Sequence, residues 1–245
     1  MRRGSHPLLF AAALPEEAAP LCARLSSVSR KEGGPLLGLI EGTLRRRRVL
    51  VAITGDGARA ASRGAEHLLG GERPSALVVL GVAGGLSPGL RPGDLVAAIE
   101  VRRPGGGALV PDPRLTRLAL AAGASPGVVI SAPRLVGTAL EKSRLRARCG
   151  PDAALVDLES WAFAEIARRE GVPFAVLRAV SDAHDEALPA PLLEAQGEDG
   201  AVSRLAMARR TLGHLSSLPA LIVLQRRLRR CALALADLAE AIARE

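Results

Sequence analysis

The sequence predicts an α/β protein built around a largely parallel sheet. Apolar runs of strand length alternate with segments whose apolar residues recur at helical spacing. Turns rich in Gly and Pro separate them. A chain of 245 residues, 48% of them apolar, can bury one sizeable core, and the strand–helix alternation places that core around a sheet.

The elements follow in order. "PLLFAAAL" (7–14) reads as a buried strand, and "PEEAAPLCARL" (15–25) as a helix whose first-turn acids suit the positive end of its dipole. "PLLGLIEGTLRRRRVLVAIT" (35–54) reads as two strands with a turn at Glu41–Gly42. "GDGARAASRGAEHLL" (55–69) is a glycine turn entering a helix, "SALVVLGVAGGL" (75–86) a strand running into a glycine-rich turn, and "GDLVAAIEV" (93–101) a further strand. Gly and Pro make 102–113 a loop. A helix (113–123), a strand (127–132) and a helix closed by Gly150 come next. "ALVDL" (154–158) enters a helix in which Leu158, Trp161 or Ala162, and Ile166 recur at helical spacing; Gly171 and Pro173 end it before the strand "PFAVLRAVS". Residues 189–203 read as a loop, and 203–245 as helices with basic clusters at Arg209–Arg210 and Arg226–Arg230.

Composition narrows the function classes. Aromatic residues make up 2% of the chain, too few to stack single-stranded bases, so the net charge of +8 reflects arginine-rich residue usage rather than nucleic-acid binding. No apolar run reaches the 18–20 residues, roughly, that span a bilayer. The start, "MRRGSHPLLFAAALPEE", imitates a signal peptide, but Pro15 and two glutamates cut its apolar stretch, and it reads as a first strand. Cys22, Cys149 and Cys231 form no CxxC pair, and the four histidines are scattered. A reduced, cytoplasmic protein without a metal site is expected.

Three acids stand at element ends: Glu17 after the first strand, Glu159 at a helix start and Asp182 after a late strand. Strand ends on one edge of a parallel sheet are where such proteins build sites. Taken singly, each acid reads equally as a helix-dipole partner or a turn cap. "GVAGG" (81–85) could let backbone approach a ligand closely, although it is neither GxGxxG nor a Walker loop. "GDG" (55–57), ahead of a helix, could hold an anion or be an ordinary turn.

Together the segments are more specific. "GVAGGLSPGLRPGDLV" followed by "VDLESWAFAEIARREGVPFAVLRAVSD" resembles the purine nucleoside phosphorylase / methylthioadenosine nucleosidase superfamily over residues 7–188. "SDAHDEALPAPLLEAQGEDG" and the Arg- and Leu-rich tail resemble its hopanoid-associated branch, whose members are taken to remove adenine from adenosylhopane. The resemblance implies a three-layer α/β/α domain with a mixed, largely parallel sheet over 1–188, and a helical C-terminal extension, 189–245, packed on or beside it. It implies that Asp182 protonates or hydrogen-bonds N7 of the purine. Glu159 holds the ribose hydroxyls, and Glu17, with Glu16 as its rival, positions the attacking water. Arg178 and Ser181 support the base-side acid. Leu158 stands where a Met usually packs on the sugar. Val82, Ala83, Gly84 and Asp157 complete the lining, Val82 replacing a Ser or Thr and Asp157 a Glu. Leu135 and Val136 lie near the positions that cover the adenine.

The chemistry suits those residue types. Adenine leaves poorly until a ring nitrogen is protonated, which calls for an acid with a raised pKa. An ionised Glu stabilises the charge growing on the ribosyl ring. Expected, then, is cleavage of the N-glycosidic bond of a 5′-modified adenosine. Adenosylhopane is the leading substrate; methylthioadenosine/S-adenosylhomocysteine hydrolysis and phosphorolysis are the alternatives. No cofactor is implied, though inorganic phosphate could be a co-substrate at Arg45–Arg48 or Arg59. A homodimer is expected, with peripheral contact at the inner face of the membrane through the basic tail. A non-catalytic nucleoside-binding module on that surface is the competing class, and release of free adenine would eliminate it.

Overall fold

The computed structural model describes residues 6–71, 73–195, 197 and 218–244. In chain order they form β1 (Leu8–Ala12), α1 (Pro15–Cys22), β2 (Ser26–Arg30), β3 (Gly38–Leu44), β4 (Arg47–Ile53), α2 (Ala58–Leu69), β5 (Ala76–Gly85), β6 (Leu95–Arg102) and β7 (Ala108–Leu109). These are followed by α3 (Pro113–Ala121), β8 (Ser125–Ser131), α4 (Ala139–Cys149), β9 (Ala153–Asp157), α5 (Ser160–Arg169), β10 (Phe174–Asp182), α6 (Ala190–Glu194) and α7 (Leu218–Ala243).

The strands make one mixed sheet between helical layers, an α/β fold of the expected class. Parallel pairings hold its centre, with β1 between β4 and β5 and β10 on the other edge of β5. Antiparallel pairs extend it through β3 and β2. The ten-residue β5 is long enough to serve two partners on one edge: residues 76–80 pair with β1, and Gly84 and Gly85 pair with β9. Through β10–β6–β8–β9 the sheet therefore closes on β5.

Strand alternation distributes the core. Leu9 and Ala11, Leu77 and Val79, and Val176 and Val180 face the apolar sides of α2 and α5, which present Ala61, Ala65, Leu68, Phe163, Ile166 and Ala167. The opposite residues, Phe10, Val78, Leu80, Leu177 and Ala179, meet α1, α3 and the C-terminal half of α7, where Cys231, Leu235, Leu238 and Ile242 are buried. A third cluster lies under α4 through Leu145, Ile130 and Val156.

Several local expectations are corrected. The β3–β4 turn lies at Arg45–Arg46, both at positive φ (49° and 68°), and not at Glu41–Gly42. Gly42 stays in strand, paired with Val49 of β4, at a place where a Cβ would come within 3.0 Å of Leu25 Cβ and 3.2 Å of the Ser26 carbonyl. The wholly exposed strand β2 carries no alternation that sequence could reveal. "GVAGG" is not a turn: it continues β5 to its end. The loop at 102–113 contains the short strand β7, and 189–203 contains α6. Arg209–Arg210 and the helix expected from 203 to 217 lie outside the described residues.

Candidate active site

Three strands, β8, β9 and β10, deliver polar side chains to one end of the sheet, joined by Glu17 of α1 and Glu159 at the start of α5. Arg178 is the centre. It projects from β10 on the α5 side, almost wholly buried at 1% exposure. Its register partner on β5 is Gly81. A Cβ on Gly81 would fall 1.9 Å from Arg178 Nη1, so only glycine lets the guanidinium cross β5. Beyond it, Arg178 Nε sits 2.7 Å from Asp157 Oδ2 at the end of β9, and Nη2 donates to Ser160 Oγ at 3.0 Å. Ser131, opposite Asp157 on β8, donates to Asp157 Oδ1, and Ser160 donates to Asp157 Oδ2. The short Asp157 therefore serves as a fully bonded counter-ion.

Glu159 occupies the N-cap of α5 without capping it. Instead it accepts the Gly57 N–H at 2.8 Å, and its other oxygen lies 3.9 Å from Arg178 Nη2. The anion held by the "GDG" turn is thus a carboxylate of the protein itself. Burial pushes the Glu159 carboxyl well above the usual carboxylate range; Arg178 opposes this, while Asp157 and Asp56 add to it. Glu17 accepts the Leu14 N–H on one oxygen and the Val82 N–H on the other, both at 3.0 Å. Burial raises its pKa as well, against Arg178 and the two N–H donors. Glu16 is exposed, so of the two neighbours Glu17 is the one inside. With Glu17, Asp157 and Glu159 grouped around one arginine, acids outnumber cations here.

Asp182 is the last residue of β10. The pairing of β10 with β5 slips between Val180 and Asp182, and this bulge at Ser181 re-aims the strand end. Ser181 Oγ bonds both the Ala83 carbonyl (3.1 Å) and Asp182 Oδ1. Asp182 Oδ2 accepts from Lys142 Nζ of α4. Gly84 leaves room for that carboxylate, whose Oδ2 would be 3.2 Å from a Cβ there.

The structure thus brings Glu17, Val82, Ala83, Gly84, Asp157, Glu159, Arg178, Ser181 and Asp182 together. Leu158 is half-buried in the two-residue link between β9 and α5. Leu135 and Val136, also half-buried, precede α4, with Val136 packed on the third core cluster. The arginines proposed for phosphate go elsewhere: Arg45 pairs with Glu240, Arg47 donates to Ser75 and Arg48 pairs with Glu41, at the opposite end of β4 from the acids. Arg59 is exposed in the first turn of α2. A cleft of about 550 Å³ runs beside the cluster, between Leu86, His184 and Ser143 of α4, and none of the three acids lines it.

Sequence reasoning passed over Lys142, Ser131 and Ser160, whereas it did single out the "GDG" turn that contains Gly57. Isolated serines carry no signal without the fold. Lys142 did carry one: Lys31 and Lys142 are the only lysines among 33 basic residues.

Residues 7–212 match the family model described as the phosphorylase superfamily. Among solved structures, the chain superposes on the 5′-methylthioadenosine/S-adenosylhomocysteine nucleosidase of Neisseria meningitidis, crystallised with methylthio-immucillin-A, with a TM-score of 0.77 and 21% identity over 97% of this chain and 98% of that one. The corresponding nucleosidase of Colwellia psychrerythraea, in complex with adenine, gives 0.76 and 20% over 98% and 95%. The futalosine hydrolase of Helicobacter pylori gives 0.74 and 18% over 97% of each chain. At these identities the likeness is one of fold.

Proposed function

The chain belongs to the phosphorylase superfamily, and on that premise we propose that it cleaves the N-glycosidic bond of a 5′-modified adenosine and releases adenine. The observation that carries this reading is the convergence of Glu17, Glu159 and Asp182, all buried, from three separate elements onto one sheet end. Asp182 serves the purine nitrogen as general acid, with Ser181 beside it; Arg178, expected to support this acid, is instead bound to Asp157, Ser160 and Glu159 on the ribose side. Glu159 meets the ribose hydroxyls and the positive charge of the oxocarbenium-like state. Glu17 takes the proton of the attacking water, a task suited to a carboxyl whose proton affinity is raised by burial. Val82, Ala83, Gly84 and Leu158 line the nucleoside, and Leu135 and Val136 cover its base.

Water is favoured over phosphate because the arginine run at 45–48 pairs at the far end of the sheet. The solved nucleosidases and futalosine hydrolase of the same fold support that choice.

The 5′ group is a hydrocarbon in this proposal, and the reaction takes adenosylhopane to ribosylhopane. Two features support it. Leu218, Ile222 and Val223 are exposed on the first turns of α7, beside exposed Arg226, Arg229 and Arg230. A helix of that make-up suits the interface of an anionic membrane, although no described helix is long and apolar enough to cross one. The same helix reaches the site: Arg227 donates to the Ser181 carbonyl at 2.9 Å and to Glu186. The exposed first turns of α7 adapt the domain to a lipid-linked substrate at the inner face of the membrane in this proposal, while the second half of that helix packs in the core. Exposed Val28, Leu37, Ile99 and Val110 offer apolar surface for a homodimer.

Product analysis tests the reading. Adenosylhopane, methylthioadenosine and inosine are incubated with the protein, with and without phosphate. Free adenine and ribosylhopane, independent of phosphate, are expected. A phosphorylated sugar would make it a phosphorylase, and absence of free base from all three substrates would leave a binding protein.

A further inference from the structure

Lys142 is buried to 1% exposure, and its side chain reaches no solvent. Its three N–H donors have three acceptors: Asp182 Oδ2, the Ala183 carbonyl at 2.6 Å and the Glu186 carbonyl at 2.8 Å. The acidic side chain next to it is Asp182 itself; Glu186 turns its carboxylate instead to the Ala183 N–H and to Arg227. A buried cation is costly unless paired and bonded, and here both conditions are met at the proposed general acid.

The choice of residue is informative. Of 33 basic residues only two are lysines, and Lys31 forms an ordinary surface pair with Glu41. A chain that uses arginine almost everywhere keeps lysine at a fully buried position beside Asp182. The two side chains differ in one chemically decisive respect. An ammonium can give up a proton, whereas a guanidinium in a protein does not. Charge alone would have allowed arginine, as at Arg178.

We propose that Lys142 is a positioning residue that acts through Asp182 as its proton partner, so that the purine is served by a Lys142–Asp182 pair and not by a lone carboxyl. This rests on the nucleosidase reading above. In the step, an Nζ–H bond of Lys142 breaks as an O–H bond forms on Asp182. Asp182 passes its proton to N7, and the electron pair of the C–N bond withdraws into the purine. Lys142 is left as a neutral amine. The proton lost by the attacking water goes to Glu17, and solvent restores both groups once adenine has left.

The test compares Lys142→Met and Lys142→Arg on two substrates. One is a methylthioadenosine-type nucleoside. The other is its N7-methylated counterpart, which already carries positive charge on the base and needs no proton. The expected result is a loss of about 10²–10⁴-fold in kcat on the first substrate, in both variants, with turnover of the second within a few-fold of wild type. Equal losses on both substrates would show a purely structural lysine, and full activity of Lys142→Arg would show that only charge matters; either overturns the proposal. Absence of adenine release from the wild-type protein would instead defeat the nucleosidase reading. Should the variants fail to fold, wild-type protein labelled with ¹⁵N-lysine gives two side-chain nitrogen signals to follow. The Lys142 signal should differ between the adenine and 7-methyladenine complexes while that of Lys31 stays fixed. An identical Lys142 signal in the two complexes overturns the proposal.

Discussion

Arg178 on β10 and Asp157 on β9 form a buried ion pair at 2.7 Å although their strands are not neighbours in the sheet. The strand between them, β5, is crossed at Gly81. This pair anchors the end of the sheet on which the candidate acids converge.

Gly81→Ala should therefore disrupt the site from its centre. The new methyl would overlap Arg178 Nη1 and lie 3.0 Å from Glu17 Oε1. Displacing the arginine strands Asp157, and breaking a buried pair costs about 3–5 kcal/mol. Denaturant unfolding should show a loss of that order; stability within 1 kcal/mol, roughly, of wild type would mean that Arg178 has another path.

Asp182→Asn should lower base release by about 10²–10⁴-fold, since an amide cannot deliver a proton. It should also cost stability, because the Lys142 ammonium loses its counter-ion. Nucleoside affinity, measured by calorimetry, should persist. Near-wild-type turnover would remove Asp182 from the mechanism.

Glu159→Gln should lower kcat more than it raises KM, because the amide still bonds ribose hydroxyls but lacks the charge that meets the oxocarbenium. Its stability should also respond to pH in a defined direction. The folded carboxyl titrates above its usual value of 4.5. As pH rises past that value the unfolded chain releases its proton first, and wild type loses stability until the folded group also ionises. The variant has nothing to titrate there. The Tm of Glu159→Gln relative to wild type should thus climb as pH rises above 4.5; a constant difference would contradict the burial cause.

Glu17→Gln and Glu16→Gln should separate cleanly. The first removes the proposed base and leaves only one carbonyl oxygen for two backbone N–H donors, at about 1–3 kcal/mol for the donor left unpaired. The second changes an exposed side chain. Hydrolysis should fail in the first alone, as read by a coupled adenine assay.

Replacing Arg226, Arg229 and Arg230 together by Glu should weaken binding to anionic liposomes, by about 1 kcal/mol per residue at most. Activity on a small soluble nucleoside should survive. Arg227 is excluded from this set because it bonds the Ser181 carbonyl and Glu186, so Arg227→Glu should reduce soluble-substrate activity as well. Unchanged liposome binding in the triple variant would end the membrane reading.

The sequence by itself determined the strand–helix alternation, because apolar periodicity is local and survives without a fold. It also singled out the three acids, through motifs whose spacing is fixed by the elements that carry them. It could not separate Glu17 from Glu16, since neighbours in sequence become distinguishable only when one is buried. Nor could it show that Gly81, Gly84 and Gly85 remain in strand: glycine is read as a turn unless a crossing side chain such as Arg178 is seen to require it. The exposed β2 left no alternating pattern to read. Tertiary structure alone decided that Lys142, 40 residues before Asp182, is its partner. A lysine on a helix is by default a solvated charge, and only packing of α4 against the end of β10 removes the water and leaves the carboxylate as its counter-ion.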